Sequence, residues 1–193
     1  MIKEAIQAGD PRLKALNKTI EDFNDPIVRG VVEDLIDSMK AANLVGMAAP
    51  QIGENWRIFV TEPRKTKFRD ADQTDELRIY INPKITNVSK RQVIIWEGCG
   101  SFAHGQIFGP VRRPAEITVE SFDLSGRQFR LVCNGLLARV IQHEQDHLDG
   151  IEFTEKMFDL RQFKDGFFYI RDIKGTSEQT KASRITKKEF QWL

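Results

Sequence analysis

The chain has 193 residues, 40% hydrophobic and 30% charged, with 29 Lys and Arg against 28 Asp and Glu and a net charge of +1. That composition supports one sizeable core, and the balanced charge excludes a strong general attraction to nucleic acid, so no DNA partner is expected. Two cysteines are too few for a disulfide framework, no run approaches a membrane span, and Met1-Ile2-Lys3-Glu4-Ala5 lacks the apolar core of a leader, so the expectation is a cytoplasmic protein without a membrane partner.

Asp25-Pro26 is a cap followed by a first-turn proline. Ile27, Val28, Val31, Val32, Leu35, Ile36, Met39 and Ala42 then recur at the helical period. This helix is core, and it delivers the chain to a glycine-bracketed loop, Gly46–Gly53, that carries Gln51. Strands are expected at about 56–61, 78–86 and 91–96. Between the first two, residues 62–78 hold five basic and five acidic side chains, as a solvated loop does. Residues 103–114, with Gly105, Gly109, Pro110 and two arginines, are expected to form a mobile loop. His104 there reads as a surface histidine, and Arg112 or Arg113 either pairs with Glu97 or is solvated. Ile117–Phe122 and Gln128–Val132 read as a hairpin across Asp123-Leu124-Ser125-Gly126.

A second helix follows, starting near Asn134-Gly135 and stopping at Gly150. Leu136, Leu137, Val140, Ile141 and Leu148 fill an arc of roughly 140° on it, at about 100° per residue. His143 and His147 lie at the side of that arc and Glu144 lies inside it, with Arg139, Gln142, Gln145, Asp146 and Asp149 opposite. Residues 174–193 carry five basic and two acidic side chains and read as a solvated basic tail after a catalytic domain at 1–173. The whole is an α+β arrangement, with short antiparallel sheets around this central helix.

The chemistry sits in His143-Glu144-Gln145-Asp146-His147, which uses two of the three histidines in the chain. Helical spacing puts both imidazoles on one face with a carboxylate between them, the pattern of a metal-dependent hydrolase. An inward-pointing glutamate is costly unless something pairs with it, and a divalent metal removes that conflict. A catalytic site of this kind needs a third ligand. The position of a third histidine in the metzincin pattern is Phe153, and Glu152 and Glu155 follow too soon for a gluzincin ligand. His104, Cys99 and Cys133 remain. Cys133 alternates with Phe129 and Leu131 as a buried strand residue does, whereas Cys99 lies between two glycines after an apolar strand, which makes it the better ligand.

Three ordered segments carry a family resemblance. Val45-Gly46-Met47-Ala48-Ala49-Pro50-Gln51-Ile52-Gly53, Glu97-Gly98-Cys99-Gly100-Ser101 and Gln142-His143-Glu144-Gln145-Asp146-His147-Leu148 resemble the three signature motifs of peptide deformylases. Ile6–Pro11 is similar to the family's opening segment. The likeness covers about residues 2–158. It implies that Cys99, His143 and His147 hold a divalent metal, with water as the fourth ligand. That metal is expected to be Fe(2+) in the cell, with Zn(2+), Ni(2+) or Co(2+) accepted in its place. It implies Glu144 as general base and then acid, the Gln51 amide and the Gly100 N–H as oxyanion donors, and Gln142 as a support for the motif. Leu136 and Val140 would line a slot for methionine, Val45 and Gly46 would bond the peptide backbone, and Arg139 would influence the residues after methionine. The substrate implied is an N-formylmethionyl nascent chain, and the basic tail would contact the ribosome. Leu44 stands where the family's first motif usually begins with glycine, Gly100 where leucine usually follows the cysteine, and Ala103 where proline is common. The last two are similar to a divergent branch that includes mitochondrial-type enzymes. The alternatives are another metallo-amidase, or a deformylase-like protein that binds formyl peptides without turnover. Glu144 argues against the second, because binding needs no general base.

Overall fold

The structure is a computed structural model describing residues 1–69 and 74–193. Helix α1, Pro26–Ala41, starts where the sequence signals it: the Asp25 carboxylate accepts from the Ile27 N–H and Pro26 occupies the first turn. Its stripe of Val28, Val31, Val32, Leu35 and Met39 is buried, while Ile27 is exposed. The chain then enters strand β1, Gly46–Ala48, a short 3-10 helix at Ala49–Ile52, and strand β2, Ile58–Thr61. Strand β3, Arg78–Val88, and strand β4, Gln92–Gly98, follow. The acidic and basic segment 62–78 lies partly outside the described residues.

Residues 103–114 are not the mobile loop that their glycines and prolines imply. A short 3-10 helix at Ala103–Gly105 leads into strand β5, Ile107–Pro114, which pairs antiparallel with β4 from Gly98↔Phe108 to Gln92↔Pro114. Among the described residues the other side of β5 pairs with β8 only at Ile107 and Phe108 and then carries a single isolated bridge, Val111↔Met157, so proline is tolerated there. Strands β6, Glu116–Phe122, and β7, Gln128–Asn134, form the expected hairpin.

Helix α2, Gly135–Leu148, runs on directly from β7. Asn134 does not cap it with its side chain; that amide donates to Thr186 Oγ1 and accepts from the N–H groups of Thr186 and Lys187. Strand β8, Lys164–Asp165, extends the β4–β5 pair, and helices α3, Gly166–Asp172, and α4, Ser177–Ser183, come next.

The expected solvated tail is instead ordered structure. Helix α4 packs on α2 and β4, where Gln179 Oε1 accepts the Trp96 N–H. Strand β9, Lys188–Trp192, pairs with β7 and lays Phe190 against Phe129. Lys187 and Lys188 pair with Glu116 and Asp75. A partner strand some sixty residues upstream is what orders this polar segment, and local composition carries no trace of it.

Among the described residues two antiparallel sheets result: six strands in the order β1-β2-β3-β6-β7-β9 and three in the order β4-β5-β8. Helix α1 packs on β1 and β2 through Val32, Leu35 and Met39, which meet Met47, Ile58 and Val60. Helix α2 lays Leu137, Ala138, Ile141 and Leu148 on Phe59, Ile117, Val119 and Leu131. The flank opposite the apolar arc is partly covered as well, with Asp149 left exposed. Arg139 and Gln142 are buried, donating to the carbonyls of Val111 and Val93 and of Pro114. So α2 is central, packed on the large sheet through its apolar face and hydrogen-bonded to the small sheet through Arg139 and Gln142. Among the described residues no helix is long and apolar enough to cross a membrane.

Candidate active site

Helix α2 presents His143, Glu144 and His147 towards the end of β4, where Cys99 sits one residue past the strand. Cys99, His143 and His147 are all buried, and their ligating atoms lie within 4.8 Å of one another. The Cys99 Sγ is 3.2 Å from His147 Nε2. A divalent ion with bonds of about 2.0–2.3 Å would draw such a set together. Next to it, Glu144 is 3% exposed and its Oε2 has no hydrogen-bond partner among the described residues. A buried carboxylate oxygen left unpaired is costly, and a cation with its water supplies what this one lacks. The donor set and the orphaned oxygen therefore fit a metal. The two other candidate ligands are elsewhere: Cys133 is buried in β7, and His104 is exposed with its N–H bonded to Gln7 Oε1.

Beneath the histidines lies a charge cluster that the sequence reading touched only at one edge. Glu97 is 3% exposed and accepts from Arg113 Nε at 2.7 Å, Arg113 Nη2 at 3.0 Å, Arg139 Nη1 at 2.7 Å and His143 Nδ1 at 2.9 Å. Burial alone would raise this carboxyl; Arg113, the His143 ring and Arg139 hold it well below the usual carboxylate range. The open question about the two arginines resolves by position. Arg113 is inside, while Arg112 is exposed and stacks over Phe158. The Glu97 bond fixes which nitrogen of His143 faces the metal position, the usual device by which a carboxylate orients a ligating imidazole. Arg139 borders the cavity, but its guanidinium is committed to Glu97 and two carbonyls, so its place is in this support. The signal for Glu97 was available in the sequence, two residues before Cys99.

Electrostatics separate the titratable groups. Burial pushes Glu144 up to about 7, against the opposing effect of His143. Burial and the neighbouring His143 push His147 well below the usual histidine range. Burial would lower His143 too, but its bonds towards Cys99 and Glu97 hold it well above.

The remaining predicted residues surround one cavity of about 60 Å³, bounded by Leu44, Val45, Gly46, Gln51, Gly100, Leu136, Val140 and Glu144 among others. Gln51 is oriented by its own helix end: Oε1 accepts the Ala48 N–H at 2.8 Å, which turns Nε2 towards Cys99 Sγ and Ser101 Oγ, 3.6 and 3.4 Å away. The Gly100 N–H donates to no protein acceptor among the described residues. Gly46 passes so close to α2 that a Cβ there would lie 2.6 Å from Glu144 Oε1. The Val45 carbonyl already accepts from the Glu62 N–H, which leaves the outer side of β1, an edge strand, for any added peptide.

Comparison with known proteins gives a consistent result. The profile described as polypeptide deformylase matches residues 2–163. A peptide deformylase of Thermomicrobium roseum is 42% identical over 160 residues, which is 82% of this chain and 87% of that protein. A chloroplastic peptide deformylase 1B of Solanum lycopersicum is 35% identical over 156 residues, 80% of this chain and 52% of that longer one. Among solved structures, the Met-Ala-Ser-bound class I type b peptide deformylase of Acinetobacter baumannii superposes with a TM-score of 0.75 at 27% identity, covering 81% of this chain and 99% of that one. The peptide deformylase of Thermotoga maritima gives 0.72 at 28%, covering 82% and 99%. With the three motifs meeting at one buried cluster, the chain belongs to the polypeptide deformylase family.

Proposed function

We propose that this protein hydrolyses the formamide of N-formylmethionyl peptides, releasing formate and a free amino terminus. The observation that carries this reading is the Cys99–His143–His147 donor set beside the unpaired oxygen of Glu144. A metal held by those three side chains would supply a Lewis acid that acidifies water and polarises a carbonyl. Glu144 takes the proton of the attacking water and later delivers it to the departing amine as the C–N bond breaks. Gln51 Nε2 and the Gly100 N–H are fixed before charge develops on the formyl oxygen, which is what makes such donors effective. Glu97 keeps His143 in place, and Gln142 ties α2 to Pro114 of β5.

Leu136 and Val140 offer the methionine side chain an apolar wall two turns and one turn before His143. The peptide backbone would add to the free edge of β1 at Val45 and Gly46. Nascent chains are the substrates that carry such an end. A ribosome contact through 174–193 would form with β9 docked on β7, since that segment is folded. Fe(2+) is the expected metal in the cell, and a thiolate with two imidazoles also accepts Zn(2+), Ni(2+) or Co(2+).

The test is formate release from formyl-Met-Ala by anaerobically prepared, Fe(II)-loaded protein, run beside Glu144→Gln. Formate from the wild type and not from the variant supports the reading. Folded, metal-loaded wild type that binds the peptide but releases no formate leaves a formyl-peptide binder instead.

A further inference from the structure

We propose that Leu44 is the positioning residue for the Gly100 amide: its side chain lies over the Gly100 α-carbon, in the space that a side chain at 100 would fill, and so seats that N–H at the site. This rests on the deformylase reading and names a device that two departures from the family's motifs build together.

The carrying observation is that nothing in the backbone requires glycine at 100. Gly100 is not among the glycines with left-handed φ, so any residue could adopt its conformation. What a Cβ would meet is Leu44 Cδ1 at 2.7 Å, Leu44 Cδ2 at 3.7 Å and Ala5 Cβ at 3.8 Å. The neighbour, and not the chain's own geometry, dictates the missing side chain.

The Cys99–Gly100 segment is otherwise held by hydrogen bonds to its carbonyls and to the cysteine sulfur. The Cys99 carbonyl accepts the Phe102 N–H at 3.0 Å, and the Gly100 carbonyl accepts Gln7 Nε2 at 2.9 Å. These bonds set the tilt of the peptides on either side of the α-carbon. The Ser101 N–H donates to Cys99 Sγ and its carbonyl accepts the Ala8 N–H, so the flanks are pinned, while over the α-carbon itself lie Leu44 and Ala5, and a glycine brings no side chain of its own. Leu44 supplies it from an anchored base. Its N–H donates to the Met39 carbonyl at the end of α1, and its carbonyl accepts Arg64 Nη2, both at 2.9 Å. Asn43, at φ +59°, makes the left-handed turn that brings Leu44 there. Leu44 also borders the site cavity beside Gly46 and Val140, so a displaced Leu44 side chain would enter substrate space.

The exchange of the two side chains tests this. Leu44→Gly should lower kcat about tenfold with KM nearly unchanged, as expected when an oxyanion donor loses its seat and the substrate slot survives. Gly100→Leu should push Leu44 into the cavity and raise KM as well. The double variant Leu44→Gly/Gly100→Leu should recover most of both losses, because the new side chain fills the vacated space. Losses that simply multiply in the double variant, or a Leu44→Gly enzyme with unchanged kcat, overturn the proposal. A readout independent of turnover is 15N relaxation of the amide at position 100 in zinc-loaded, uniformly 15N-labelled protein. Order should fall in Leu44→Gly and return in the double variant, and an unchanged amide overturns the proposal. If the wild type releases no formate, the deformylase reading fails on its own, and the relaxation data still decide whether Leu44 holds this amide.

Discussion

Cys99 and Cys133 are both buried thiols that follow or occupy strands, and they sit in opposite chemical settings. Cys133 lies within the six-stranded sheet among Ile117, Leu131 and Leu137, and burial, with a contribution from Asp75, pushes its thiol up to about 12. Cys99 is barely more exposed, at 4% against 0%, yet its sulfur faces His147 Nε2 and receives the Ser101 N–H. Burial therefore does not decide which cysteine is fit to hold a metal; the polar groups converging on the sulfur do. The large sheet shelters its cysteine, and the small sheet hands its cysteine to α2.

The largest way to break that contrast is Cys99→Ala. Metal content after dialysis should fall at least about 100-fold in affinity terms, with formate release near background; full metal content measured by plasma emission would remove Cys99 from the ligand set. Next in size, Glu144→Gln should keep metal and fold but slow formate release by about 1000-fold, the scale of a lost general base. Glu97→Gln attacks the support rather than the ligands. With Arg113 and Arg139 left buried beside a neutral amide, stability should drop by about 3 kcal/mol and metal should bind more weakly. Thermal unfolding and metal titration read the two effects together, and a change in only one would separate orientation of His143 from the ion-pair cluster. Smallest, Cys133→Ala should cost about 1 kcal/mol through lost packing and leave kcat/KM as it was. A fall in activity there would show that the large sheet does more than shelter.

Local pattern made much of this legible. The α1 cap at Asp25-Pro26, the apolar stripe behind it and the spacing of His143, Glu144 and His147 are all written within a few turns of helix. What stayed hidden depends on distant partners. Strand β5 looks like a loop because Gly109, Pro110 and Pro114 conceal it, and only pairing with β4 makes it a strand. Strand β9 needs β7, and the buried role of Arg139 needs carbonyls from β4 and β5. Leu44 and Gly100 were each visible as departures from the motifs, but that they touch is a property of the fold alone.

Glu97 answers to two side chains of α2 and one of β5. In most enzymes a library selected for heat tolerance and one selected for turnover drift apart, because the positions that matter to each are different. Around this carboxylate they should not: the same substitution would loosen the join of sheet and helix and free His143 from the orientation it holds beside Cys99 and His147. Thermal selection alone would preserve this part of the catalytic apparatus without ever assaying it.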